Sequence, residues 1–162
     1  MLKTILIALG LASPAYAGTY NPQLLDNEQQ YCMQQAIYFE AGNQPLVGKL
    51  AVGYVILNRV DSKDYPNTIC DVVRQGPKRL VNDRLVPVKW RCQFTFYCDG
   101  SADTPVYNSY AWRESVKASH IIYLSDDYIS QGATHYHATY VKPSWANHLT
   151  KIVTINEHIF YK

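Results

Sequence analysis

Residues 38–45 read Tyr38-Phe39-Glu40-Ala41-Gly42-Asn43-Gln44-Pro45. A single carboxylate sits here between an aromatic pair and a helix-breaking Gly-Asn step. Upstream, Asp26 has the chemistry of an N-cap, with Gln29 three residues on as a capping-box partner. That frames a helix over 27–41, ended by Gly42 and Asn43. Cys32, Ala36 and Phe39 or Glu40 follow the spacing of one helical face. Downstream, Pro45 suits a first helical position and opens a second helix over 45–60. Val47, Leu50, Ala51, Val52, Tyr54, Val55, Ile56 and Leu57 cover almost its whole circumference, which places it in the middle of a core. The short connection makes the two helices neighbours. Glu40 therefore falls in a last helical turn, beside an apolar helix. Helix dipole and burial both disfavour its charge, so its pKa is expected to rise. A Glu held protonated near neutral pH can donate a proton to a leaving oxygen.

The outer parts of the chain set the context. Lys3, the mostly apolar Thr4–Ala12 and the Ala15-Tyr16-Ala17 site have the pattern of a cleaved signal peptide over 1–17. The apolar run is too short for a stable bilayer span, which takes about 20 residues. An uncleaved anchor is the alternative. Residues 18–162 then form one domain, exported to a periplasm, cell wall or extracellular space, with no stable membrane insertion after cleavage. The formal charge of +2 becomes +1 without Lys3. Basic residues look scattered, which gives no argument for nucleic acid or an acidic membrane. Cys32, Cys70, Cys92 and Cys98 form an even set, which in an exported chain suggests two disulfides. Three pairings are open. No CxxC and no finger-spaced His favour a metal instead.

The rest of the chain reads as an α+β domain, helices first and a small antiparallel sheet later. A short helix is predicted over 68–74, capped by Asn67 or Thr68. Residues 75–89 read as an irregular loop, with a possible edge strand at Leu85–Val88. Residues 90–97 alternate and read as extended, with Cys92, Phe94, Phe96 and Cys98 on one side. Asp99-Gly100 marks a turn. A third long helix is predicted over 105–124, with Ala111, Ser115, Ala118 and Ile122 as its stripe. Strands are expected over 133–141 and 153–161, separated by a turn at Pro143–Ala146.

Other constellations are weaker. The chain holds 14 tyrosines. Gln93, Tyr97, Tyr136, Tyr140 and Trp145 offer flat apolar faces with polar edges, the complement of a sugar ring, so as a group they suggest a glycan groove. His135 and His137 would share a strand face and could begin a zinc site, but structural histidines are the better reading. No metal or cofactor is expected. Asp61, Asp64, Asp71 and Asp99 are candidate partners for a paired-carboxylate glycosidase, none with a compelling spacing. No GxSxG, GxGxxG or P-loop occurs.

Taken in order, several segments resemble one family. Residues 36–41, then Gly48-Lys49-Leu50-Ala51-Val52-Gly53-Tyr54-Val55-Ile56-Leu57-Asn58-Arg59-Val60, are similar to the spore cortex-lytic type of cell wall hydrolase. So are Tyr65-Pro66-Asn67-Thr68-Ile69-Cys70-Asp71-Val72-Val73, Cys92-Gln93-Phe94-Thr95-Phe96 with Cys98-Asp99-Gly100, and the Tyr-His and Pro-x-Trp pattern in 133–146. The resemblance covers about residues 31–161. It implies a mostly helical fold like lysozymes and lytic transglycosylases, acting on peptidoglycan glycan strands as a monomer. It implies cleavage between N-acetylmuramic acid and N-acetylglucosamine, with Glu40 at the catalytic position. Where that family usually reads Glu-Ala-Arg-Gly-Glu, this chain reads Glu40-Ala41-Gly42-Asn43-Gln44. The missing second acid favours a lytic transglycosylase over a hydrolytic muramidase; the loss also leaves open an inactive murein-binding module. Gln44, Gln93, Phe94, Tyr97, Tyr136, Tyr140 and Trp145 are the expected substrate contacts. Cys70 is expected to pair with Cys92 or Cys98.

Overall fold

The two long N-terminal helices form where expected. In a computed structural model, which describes residues 26–162, α1 is Asn27–Ala41 and α2 is Leu46–Val60. The expected signal and the lead to residue 25 lie outside the described residues. Asp26 caps α1 by accepting from the Glu28 amide. Gln29 does not complete a capping box. Its Oε1 instead accepts from the Cys70 amide at 3.0 Å, tying α1 to α3 (Ile69–Val73). Thr68 caps α3 by accepting from the Asp71 amide.

α2 is the central element. Ten of its residues, Gly48 to Ile56 and Arg59, are buried, so no face remains for solvent. It packs against α1, α3 and α4 (Tyr110–Leu124). Lys49 is buried in this apolar run because its Nζ donates to the carbonyls of Gly42 (3.0 Å) and Gln44. Carbonyls of the C-cap and of the connection after α1 are thereby satisfied by a cation, which also suits the negative end of the helix dipole. The connection after Glu40 is thus held by α2 itself.

Two disulfides form, Cys32–Cys70 and Cys92–Cys98. The expected pairing of Cys70 with Cys92 or Cys98 is therefore wrong. The reason is packing: α1 and α3 lie side by side, with the Cα atoms of Cys32 and Cys70 5.3 Å apart.

The region read as an irregular loop contains a hairpin, β1 (Lys78–Val81) and β2 (Arg84–Pro87). Its turn residues Asn82 and Asp83 both have positive φ, 48° and 60°, as a type I′ turn requires. Residues 90–97 are not a strand. The Cys92–Cys98 bridge closes a tight loop, and Thr95–Cys98 is a short 3₁₀ helix. Burial still alternates, with Cys92, Phe94, Phe96 and Cys98 inside. α4 starts five residues later than predicted, at the Ser109 cap. The C-terminal sheet is antiparallel in the order β3 (His135–Ala138), β5 (His158–Tyr161), β4 (Lys151–Ile155). What reads as one strand over 153–161 belongs to a hairpin turning at Asn156 (φ 50°). The class is α+β, as expected.

Candidate active site

The ends of α1 and α2, the segment 93–99 and β3 surround an open groove of about 700 Å³, within the size range of ligand sites. Glu40, in the last turn of α1, lies in this groove. Burial pushes its carboxyl pKa up; the Tyr136 hydroxyl and the Arg59 charge pull it partly back. Tyr136, on β3, donates its hydroxyl proton to Glu40 Oε2 at 3.0 Å. Arg59 acts through its field, since it is in no ion pair; those among the described residues are Arg74–Glu28 and Lys117–Glu114. The Arg59 guanidinium sits 5.1 Å from the Tyr65 ring centre and 5.4 Å from that of Phe94. Its Nε donates to the Thr134 carbonyl at 2.7 Å, and its buried Nη1 has no hydrogen-bond partner among the described residues. A carboxyl with a raised pKa and one hydrogen bond, open to a groove, suits proton donation. The cation and hydroxyl beside it keep the ionised form accessible, so the same group can take a proton back.

Gln93, Phe94, Tyr136, Tyr140 and Trp145 join Glu40 in lining the groove. Phe94 is buried beneath Arg59, while Tyr140 is 83% exposed at the rim. Two expected contacts are elsewhere. Tyr97 follows the 3₁₀ turn to a separate cleft with Arg74, Gln75 and Lys78. Gln44 is buried and donates to Glu157 Oε2 at 2.9 Å. An acid at position 44 would set two carboxylates against each other there, so the amide is what Glu157 requires. Sequence reasoning missed Arg59 and His158 as groove residues. The signal for Arg59 was a cation in the last turn of an otherwise apolar helix. Asp99 also lines the groove and is the second carboxylate in it.

The histidines of β3 are engaged by protein. His137 Nδ1 contacts the Ala138 carbonyl (2.9 Å), which assigns the proton to Nδ1 and leaves Nε2 to accept from the Tyr161 hydroxyl (2.9 Å). His135 Nδ1 and Nε2 contact the Thr134 and Tyr65 hydroxyls at 3.0 and 3.3 Å. Both rings pack on Trp145, at 5.4 and 5.5 Å between centres. They form an aromatic wall for the groove. Among the described residues no group of three or more His, Cys, Asp or Glu side chains is placed to hold a metal ion.

A family model described as Cell Wall Hydrolase matches residues 43–161. The chain belongs to the cell wall hydrolase family. The match begins just past Glu40, so the placement of that residue rests on the groove. Among curated relatives of this cell wall hydrolase family member, a spore cortex-lytic enzyme of Bacillus cereus is 38% identical over 60 residues, which are 37% of this chain and 23% of that relative. The spore cortex-lytic enzyme of Halalkalibacterium halodurans is 46% identical over 48 residues, 30% of this chain and 14% of that relative. The matched segments thus span less than a quarter of those relatives. Two solved structures share the fold over nearly the whole length. The catalytic domain of the germination-specific lytic transglycosylase SleB from Bacillus anthracis superposes with a TM-score of 0.63 at 25% identity, covering 90% of this chain and 98% of that domain. The catalytic domain of the Bacillus cereus SleB protein gives 0.61 at 24% identity, covering 94% of this chain and all of that domain.

Proposed function

We propose that this protein cuts the glycan strands of peptidoglycan between N-acetylmuramic acid and N-acetylglucosamine, as a lytic transglycosylase. The observation that carries the reading is Glu40: partly buried, raised in pKa, bonded by one hydroxyl and open to an aromatic-walled groove. Family membership and the likeness to a lytic transglycosylase domain support it. Glu40 in its acid form donates its proton to the glycosidic oxygen as the bond from C1 breaks. The resulting carboxylate, next to Tyr136 and Arg59, faces the oxocarbenium-like sugar. It then takes the proton of the muramic 6-hydroxyl while that oxygen bonds to C1. The product is a 1,6-anhydro end; no water is consumed, and Glu40 ends protonated as it began. Gln93, Phe94, Tyr136, Tyr140 and Trp145 position the strand.

Asp99 favours a second reading, hydrolysis, because a second carboxylate in the groove could activate water. Mass spectrometry of digested murein separates the two: anhydro ends support the transglycosylase, reducing ends the hydrolase. Retention of murein without release of soluble fragments would leave only a binding module. Export belongs to the same proposal, with residues 1–17 as the signal; N-terminal sequencing of the released protein should begin at Gly18.

A further inference from the structure

The β1–β2 hairpin plays no part in the groove, yet its chemistry is unusual. Residues 78–91 contain Lys78, Arg79, Arg84, Lys89 and Arg91, a third of the chain's fifteen Lys and Arg, against one acid, Asp83. Among the described residues none of the five is in an ion pair. Spread along the sequence they look scattered; the antiparallel fold brings Lys78, Arg79 and Arg84 onto one short ribbon, with Lys89 and Arg91 just beyond its second strand. Cross-strand partners share a face: Leu80 pairs with Leu85 and shares its face with Lys78, while Arg79 and Arg84 lie on the other face, next to the turn. Both leucines are bare, at 67% and 68% exposure. Just beyond β2, Trp90 is 61% exposed at φ 63°, a left-handed conformation that is strained for a bulky residue. Its amide is fixed on the Cys98 carbonyl (3.0 Å) beside the disulfide, and the Lys89 ammonium lies 5.3 Å from its ring centre.

We propose that this hairpin is a peripheral docking element for an anionic lipid surface, entering tip first, with Leu80 and Leu85 seated at the headgroup boundary on one face and Arg79 and Arg84 reaching headgroups from the other. Charge complementarity picks an anionic partner, since five cations here are set against the single acid Asp83. The apolar side chains pick a lipid surface among anionic partners. A purely polar polyanion would engage the cations but leave Leu80, Leu85 and Trp90 in water, whereas a bilayer interface accepts apolar and indole groups next to cations. The Gln93 amide donates to the Gln75 carbonyl at 2.9 Å, joining the two legs at the hairpin's base. Docking would therefore fix the orientation of the groove wall that begins at Gln93. The inference does not depend on the chemistry assigned to Glu40.

The test is co-sedimentation of the full chain with vesicles of equimolar phosphatidylglycerol and phosphatidylcholine, and with pure phosphatidylcholine, at low and high salt. Wild type is compared with L80S/L85S and R79E/R84E, so any contribution of residues 1–25 is common to all; unchanged melting temperatures confirm folding. The expected result is binding at least about tenfold tighter to the anionic vesicles and weakened by salt. L80S/L85S should lose about tenfold and R79E/R84E about a hundredfold. Equal binding by wild type and both variants would overturn the proposal. So would loss in R79E/R84E with none in L80S/L85S, which would mean a polyanion contact, as with the carboxylates of murein peptides. Cleavage of soluble murein fragments should be the same in all three proteins.

Discussion

Asn58 and Arg59 are adjacent on α2, and each serves a different carboxylate. Asn58 donates to Asp127 at 2.9 Å. Asp127 also accepts from the Ser130 hydroxyl and from the amides of Ile129 (3.1 Å), Ser130 (2.6 Å) and Gly132 (2.9 Å). Burial alone would raise its pKa; the bonds from Asn58, Ser130 and Gly132 hold it below the usual carboxylate range. Glu40 is partly buried too, but it has the Tyr136 hydroxyl and the more distant field of Arg59, and its pKa goes up. The two sites teach that burial does not make an acid catalyst. The number of donors aimed at the carboxylate decides whether it is a structural anion or a proton carrier. Asp127 closes the loop before β3, and Glu40 is left short of donors where a substrate could complete its shell.

Each side of that contrast can be broken. Glu40→Gln removes the proposed proton carrier with little change in shape, so murein cleavage should fall by about 10³-fold or more, measured as release of soluble fragments. Its stability should change in the opposite sense. Because the folded state holds the Glu40 proton more tightly than the unfolded chain, wild type loses stability as pH rises from the ordinary Glu value through the raised one. Thermal melts should show Glu40→Gln gaining on wild type across that window and levelling off above it. Asp127→Asn removes an anion with several donors and should cost about 2 kcal/mol at neutral pH, read by denaturant unfolding, with cleavage per folded molecule unchanged. Here the sign is reversed: the deficit should shrink as pH falls below the ordinary Asp value towards the lowered one, where wild type also becomes protonated. Tyr136→Phe is the smallest change. It removes a bond that favours the ionised form of Glu40, so the basic limb of the kcat/KM profile should move to higher pH, with activity down about tenfold, equivalent to about 1.4 kcal/mol.

Much of the helical half was legible because local chemistry and global packing agree there. Asp26, the Gly42-Asn43 break and the all-round apolar face of α2 each specify an outcome by themselves. The position of Glu40 was legible for the same reason, as a charge at the junction of two such signals. The loop half was not. The Asn82-Asp83 turn supplies two positive φ angles without glycine, so the hairpin lacked its usual mark. The period-two pattern of 92–98 correctly separates buried from exposed residues. The bridge between Cys92 and Cys98 bends that pattern into a 3₁₀ turn and carries Tyr97 out of the groove. Disulfide pairing depends on how α1 meets α3, which no local pattern encodes. Gln44 looked like a lost acid because its partner, Glu157, is distant in sequence. Arg59 was hidden because a lone cation at a helix end has a ready local explanation in the helix dipole.

The contrast between the two carboxylates can be read directly by following the side-chain ¹³C carboxyl signals of Glu40 and Asp127 through a pH titration of the folded protein. The account predicts that Glu40 titrates above the ordinary Glu value and Asp127 below the ordinary Asp value. A Glu40 that titrates at or below the ordinary Glu value would contradict it, because the groove would then hold no proton donor near neutral pH.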